Sequence, residues 1–77
     1  MSYQIYSSEA IQLGSQDVRE ADRLIYLLTP GWGLVRAVAR GARKIDSKLR
    51  PQLLDGRHLL VALVRGREVW RLTSARD

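Results

Sequence analysis

The sequence contains no cysteine, no phenylalanine and a single histidine, His58. Without cysteine there is no disulfide framework and no Cys/His zinc cluster to stabilise so short a chain, and the fold must rest on aliphatic packing. Long hydrophobic runs are missing too. The longest, Leu24 to Leu28 and Leu59 to Val64, fall far short of the roughly 20 residues that a membrane-crossing helix requires. The opening Met-Ser-Tyr-Gln has neither the basic start nor the apolar segment of a secretory signal, which makes the cytoplasm the expected location. At 77 residues one domain is expected and a second core is excluded.

No catalytic constellation is present. Ser7, Ser8, Ser15, Ser47 and Ser74 stand outside any nucleophile-elbow pattern, and one histidine near one aspartate does not make a triad. Gly41-Ala-Arg-Lys44 lacks the spacing of a phosphate-cradling loop. His58 begins an apolar run and is expected at a strand edge or on the surface. The chain therefore reads as a non-enzyme with no cofactor and no bound metal.

Acidic residues are scarce in the second part of the chain. Residues 1–33 carry two basic side chains against four acidic ones, a charge of −2, and residues 34–77 carry eleven against four, a charge of +7. A localised positive field concentrates polyanions and speeds their association, so nucleic acid or an anionic surface is the first partner class to consider. Arg36, Arg40, Arg43, Lys44, Lys48 and Arg50 fall within fifteen residues with only Asp46 opposing them. A merely solvated loop usually mixes signs, and phosphate contact is the economical explanation. The arginine excess is compatible with bidentate phosphate contacts and with stacking on bases, and a GC-rich genome would produce the same bias.

Turn signals break the chain about every ten residues, the spacing of an all-β barrel or sandwich. Five strands fit. The first runs from Ser8 to Ser15, with Gly14 marking a bulge or bend, and a polar connection, Asp17 to Asp22, follows. The second, Arg23 to Thr29, is rich in strand formers and reads as buried on both faces. Pro30-Gly31-Trp32-Gly33 is a turn, which makes strands two and three a hairpin. Strand three, Leu34 to Ala42, alternates: Val35, Ala37 and Ala39 suit a tight interior, and Arg36 and Arg40 face outward about 13 Å apart. Residues 41–51 form a basic loop with a short helical turn around Asp46 to Leu49. Strand four spans Arg57 to Val64, Arg65-Gly66 turns the chain, and strand five spans Arg67 to Thr73. On strand five Trp70 and Leu72 share the core face, while Arg67, Val69 and Arg71 share the outer one. Trp32, at the hairpin tip, is either a stacking platform for bases or a lid folded over the barrel end.

Several segments together resemble the N-terminal domain of the RecO family. They are Glu9-Ala-Ile11 with Leu13, Glu20-Ala-Asp-Arg-Leu24 and Thr29, then Gly33, Ala39-Arg-Gly-Ala-Arg43, Ser47-Lys-Leu-Arg50 and Trp70-Arg-Leu-Thr-Ser-Ala75. The likeness runs nearly end to end, and the order and spacing of the segments make it specific. It departs at Gly14, where a basic residue is common, at Arg19, where glycine is common, and at Asp55-Gly56, where Pro-Phe is common. The family's helical region and zinc-binding cysteine cluster are not in this sequence.

The resemblance implies a five-stranded oligonucleotide-binding (OB) fold over residues 1–77. It also implies binding of single- and double-stranded DNA, strand annealing, and a cytoplasmic, nucleoid-associated place in recombinational repair by the RecF pathway. RecR and the single-strand-binding protein are the implied partners. Arg36, Arg40, Arg43, Lys44, Lys48 and Arg50 take the family's basic positions; Arg67, Arg71 and Trp32 join them on the expected DNA-binding face. A protein-interaction module within a repair complex and a cold-shock-like RNA-binding barrel are the alternatives. The second would normally show several surface aromatics on adjacent strands.

Overall fold

The computed structural model describes residues 4–43 and 55–76. Among the described residues there are five strands and no helix: β1 (Ile5–Val18), β2 (Asp22–Thr29), β3 (Gly33–Ala39), β4 (His58–Val64) and β5 (Trp70–Arg76). They close into a barrel in the order β1-β2-β3-β5-β4, with β1 also pairing β4 to complete the ring. The β3–β5 seam is parallel and the others are antiparallel. This is the five-stranded OB architecture.

β1 closes the barrel because it serves two neighbours. Its first half pairs β4, from Ile5↔Val64 to Ile11↔His58, and its second half pairs β2, from Ile11↔Leu28 to Val18↔Asp22. The register slips between Gln12 and Gly14, so the glycine sits at a bulge that bends the strand. The expected span, Ser8 to Ser15, is too short at both ends. Backbone pairing extends the strand past that span, Ile5 to Ser7 against β4 and Gln16 to Val18 against β2.

The β2–β3 hairpin forms as expected, with Thr29 paired to Gly33. Thr29 Oγ1 accepts the Trp32 backbone N–H at 3.0 Å and donates to the Gly33 carbonyl at 2.9 Å, which ties the turn to the strand end. β2 itself is not buried on both faces: Ile25 and Leu27 are fully enclosed, but Leu28 is 45% exposed. A single sheet closed on itself has one interior, so alternate residues of every strand must face out.

β3 keeps the expected parity. Val35, Ala37 and Ala39 are buried, whereas Leu34, Arg36 and Arg40 are exposed. The strand ends at Ala39, leaving Arg40 to Arg43 in the turn beyond it. β5 begins at Trp70 rather than Arg67. A Cβ on Gly66 would collide with the carbonyl oxygen of Val69, so the chain doubles back tightly over 67–69. Arg67 therefore lies in a bend and does not share a strand face with Arg71. The expected helical turn at Asp46 to Leu49, and with it Lys44, Lys48 and Arg50, lies outside the described residues.

The core joins Ile25, Leu27, Val35, Leu59, Val61, Leu63 and Leu72 to four alanines, Ala10, Ala37, Ala39 and Ala42. Small residues on β3 let the barrel close around a narrow interior. Ala37→Leu should therefore destabilise the chain by about 1–3 kcal/mol through overpacking. Leucine at the adjacent Arg36 should change stability by no more than about 0.5 kcal/mol. Urea unfolding of both variants checks this; equal effects would contradict the in–out assignment of β3.

Candidate nucleic-acid interface

The parallel seam pairs Ala37 with Trp70 and Val38 with Arg71, bringing the end of β3 against the start of β5. A shallow groove of about 510 Å³ lies there, lined by Val38 and Arg40, by Val69, Trp70 and Arg71, and by Arg19 and Asp22 from the β1–β2 turn. Three guanidinium groups thus face one carboxylate. Arg36 is exposed on β3, two residues before Val38 and on the same outer face. A concave surface with this excess of positive charge suits a polyanion.

Asp22 organises the end of the groove. One carboxylate oxygen accepts the Gly41 backbone N–H at 2.7 Å, and the other takes the Arg19 guanidinium at 3.3 Å. Gly41 has φ +70°, a left-handed conformation natural to glycine, where the chain leaves β3. The start of β2 is thereby tied to the end of β3. The Gly41 hydrogen bond, followed by the hydrogen bond and charge of Arg19 and the charge of Arg40, holds the Asp22 carboxyl below its ordinary value of 3.8, against an opposing effect of burial.

The remaining cations are placed differently. Arg43 is ion-paired: its guanidinium meets Asp17 at 3.5 Å and donates to the Arg19 carbonyl at 3.3 Å, while its backbone N–H donates to the Ala21 carbonyl at 2.9 Å. It clamps the β1–β2 turn. Arg23 pairs with the same Asp17 at 3.1 Å. Arg67 is exposed in the bend before β5. Arg65 lies over the ring of Trp70, 5.6 Å from its centroid. His58, at the start of β4, meets Glu9 at 3.3 Å on the surface.

Trp32 folds back from the hairpin tip. Its ring centroid lies 5.1 Å from that of Trp70 and 5.7 Å from that of Tyr6, and Tyr6 lies 5.6 Å from Trp70. Edge-to-face and tilted contacts of this kind satisfy the aromatic quadrupoles. Trp32 still keeps 41% of its surface exposed, so it is both a lid and an accessible ring. Trp70 packs against the core as expected.

Arg19 is the groove residue that sequence reasoning passed over. It belongs to the acidic part of the chain, and only the Asp22 contact and the closure of the barrel bring it beside Arg40 and Arg71.

The family model "Recombination protein O N terminal" matches residues 1–77. The chain is 40% identical over 75 residues to the DNA repair protein RecO of Roseiflexus sp. (strain RS-1), covering 97% of this chain and 26% of that relative. It is 42% identical over 65 residues to the DNA repair protein RecO of Thermobifida fusca, covering 84% of this chain and 27% of the relative. The DNA repair protein RecO of Nostoc punctiforme is 40% identical over 72 residues, 91% of this chain and 23% of the relative. The chain thus spans about a quarter of the length of these relatives.

Because folding lowers the Asp22 pKa, the carboxylate contributes stability above pH 3.8, and that contribution is lost as pH falls through its depressed folded value. Asp22→Asn should accordingly melt below the parent at pH 7, with the gap closing as the pH drops below 3.8. Thermal melts of both chains across that range check it. A gap that persists unchanged in acid would mean that the Asp22 charge is not what holds the turn.

Proposed function

The chain belongs to the RecO family as a match to its N-terminal domain, and on that premise we propose that the barrel binds single-stranded DNA along the outer face of β3 and β5. The observation that carries this reading is the groove beside the parallel seam, where Arg19, Arg40 and Arg71 face a single carboxylate and Arg36 continues the basic surface along β3. Guanidinium forks match phosphate oxygens bidentately, and such charge-assisted contacts are the stronger class of hydrogen bond. Contacts of this kind position the backbone and carry no base information. The accessible part of Trp32 offers a stacking surface next to the groove. Arg67, at the bend, adds charge at the margin. Arg43 contributes chiefly by holding the β1–β2 turn in place, and Lys44, Lys48 and Arg50 extend the basic sequence beyond it.

Duplex binding, strand annealing and assembly with RecR and the single-strand-binding protein follow from the family as further parts of the proposal. Annealing needs two strands held together, which one basic face does not provide unaided.

A second reading rests on a separate observation. Ile11, Leu28 and Leu34 are direct cross-strand neighbours and are 41%, 45% and 60% exposed. An apolar row of this kind suits a partner protein, which would make the barrel an interaction module. The two readings differ in their response to salt.

Single-stranded DNA binding should be nearly indifferent to base sequence. If about four phosphates are neutralised, the slope of log K against log salt should be about −3. Arg36→Ala combined with Arg40→Ala should weaken binding by about tenfold or more while leaving the melting temperature nearly unchanged. Fluorescence anisotropy at several salt concentrations measures both. A double variant that binds like the parent, or a flat salt response, would move the preference to the interaction module.

A further inference from the structure

We propose that Arg19 is an additional phosphate-contacting side chain of this groove, placed there by a backbone that would be relaxed with glycine; the inference rests on the DNA-binding reading above. Arg19 is the only non-glycine residue with positive φ among the described residues, at +56°. A side chain with a Cβ is disfavoured in that left-handed conformation. Such strain tends to persist where function requires it.

What the fold needs at position 19 is the backbone alone. The turn is held by Arg43, which donates its backbone N–H to the Ala21 carbonyl at 2.9 Å and a guanidinium N–H to the Arg19 carbonyl at 3.3 Å. A glycine would supply the same carbonyl and the same φ. The side chain's own contact is with Asp22 at 3.3 Å, and Arg19 is 72% exposed there. Exposed ion pairs contribute little to stability. Packing therefore does not account for an arginine at this position.

The groove does account for it. Arg19 reaches the groove from the β1–β2 turn, Arg40 from the end of β3 and Arg71 from β5, so that three elements supply cations around one concavity. Its contact with Asp22 uses one guanidinium nitrogen, and an arginine has five N–H donors. The carboxylate orients the fork and leaves donors for a ligand oxygen. The chemistry fits a phosphodiester and asks nothing of the bases.

The test compares the 77-residue chain with Arg19→Gly, Arg19→Lys and the Arg36→Ala, Arg40→Ala pair. The probe is a labelled oligothymidylate of about 15 nucleotides, near the upper site size of one such barrel. Arg19→Gly should raise the dissociation constant about fivefold and make the salt slope shallower by about 0.7. Its melting temperature should equal or exceed the parent's, because the strain is gone. Arg19→Lys should keep most of the binding. Parental affinity and slope for Arg19→Gly, alongside weakened binding by the Arg36/Arg40 pair, would overturn the role of Arg19 and leave the DNA-binding reading standing. Melting of Arg19→Gly well below the parent would assign the arginine to the fold and overturn the inference. No binding by the parent chain would overturn both.

Discussion

The parallel pairing of β3 with β5 is the constraint on which the rest of the molecule depends. It is carried by only two register positions, Ala37↔Trp70 and Val38↔Arg71, yet it turns an open antiparallel sheet in the order β3-β2-β1-β4-β5 into a closed ring. Closure removes the exposed sheet edges that would otherwise template association. It also decides which side chains share a surface: Val38 and Arg71 become neighbours, and Arg36 and Arg40 come to lie beside a second strand. Small residues make this close approach feasible. Ala37 and Ala39 are fully buried, and bulkier side chains there would push β3 away from the interior.

A second tie sits at the end of the same seam. Asp22 joins the first residue of β2 to Gly41 beyond β3 and at the same time holds Arg19. Arg43 reaches back across this turn to Asp17 and to the Arg19 carbonyl. The acidic residues of the first part of the chain are thus not simply opposing charge. They pair with particular arginines and hold others in place, so the charge asymmetry seen in the sequence becomes a division of labour between anchoring and exposed cations. Beside the same groove, Tyr6, Trp32 and Trp70 pack on one another. Tyr26 faces outward on β2 and donates to Gln16 at 3.2 Å, a cross-strand contact on the solvent side of the barrel.

Much of this was legible in the sequence where a single strand carried a clean period of two. The β3 alternation of Val35, Ala37 and Ala39 against Arg36 and Arg40 located both the interior and the outward cations. The Pro30 to Gly33 turn located the hairpin. Legibility failed where tertiary pairing overrides local pattern. β1 serves two partners through a bulge, and no single period runs through both halves. β5 starts late because Gly66 and Val69 close a tight bend that composition alone reads as a two-residue turn. The buried Gln12 shows the same limit: its amide donates to Asp55 at 2.9 Å, and its backbone pairs with Gly56 and Arg57. Forty-three residues separate Gln12 from Asp55, and no local rule links them. Arg19 was missed for a related reason, since a cation among acidic neighbours looks neutralised until the groove around it is seen.

The most direct measurement is backbone amide chemical-shift mapping of the isotope-labelled chain during titration with an oligothymidylate. The largest changes are expected at Arg36 to Arg40 and at Trp70 and Arg71, with a smaller set at Arg19 and Trp32, and little at Ile11, Leu28 and His58, which cluster at a separate apolar hollow. Changes concentrated at Ile11, Leu28 and His58, or none anywhere, would contradict a DNA interface on the β3–β5 face.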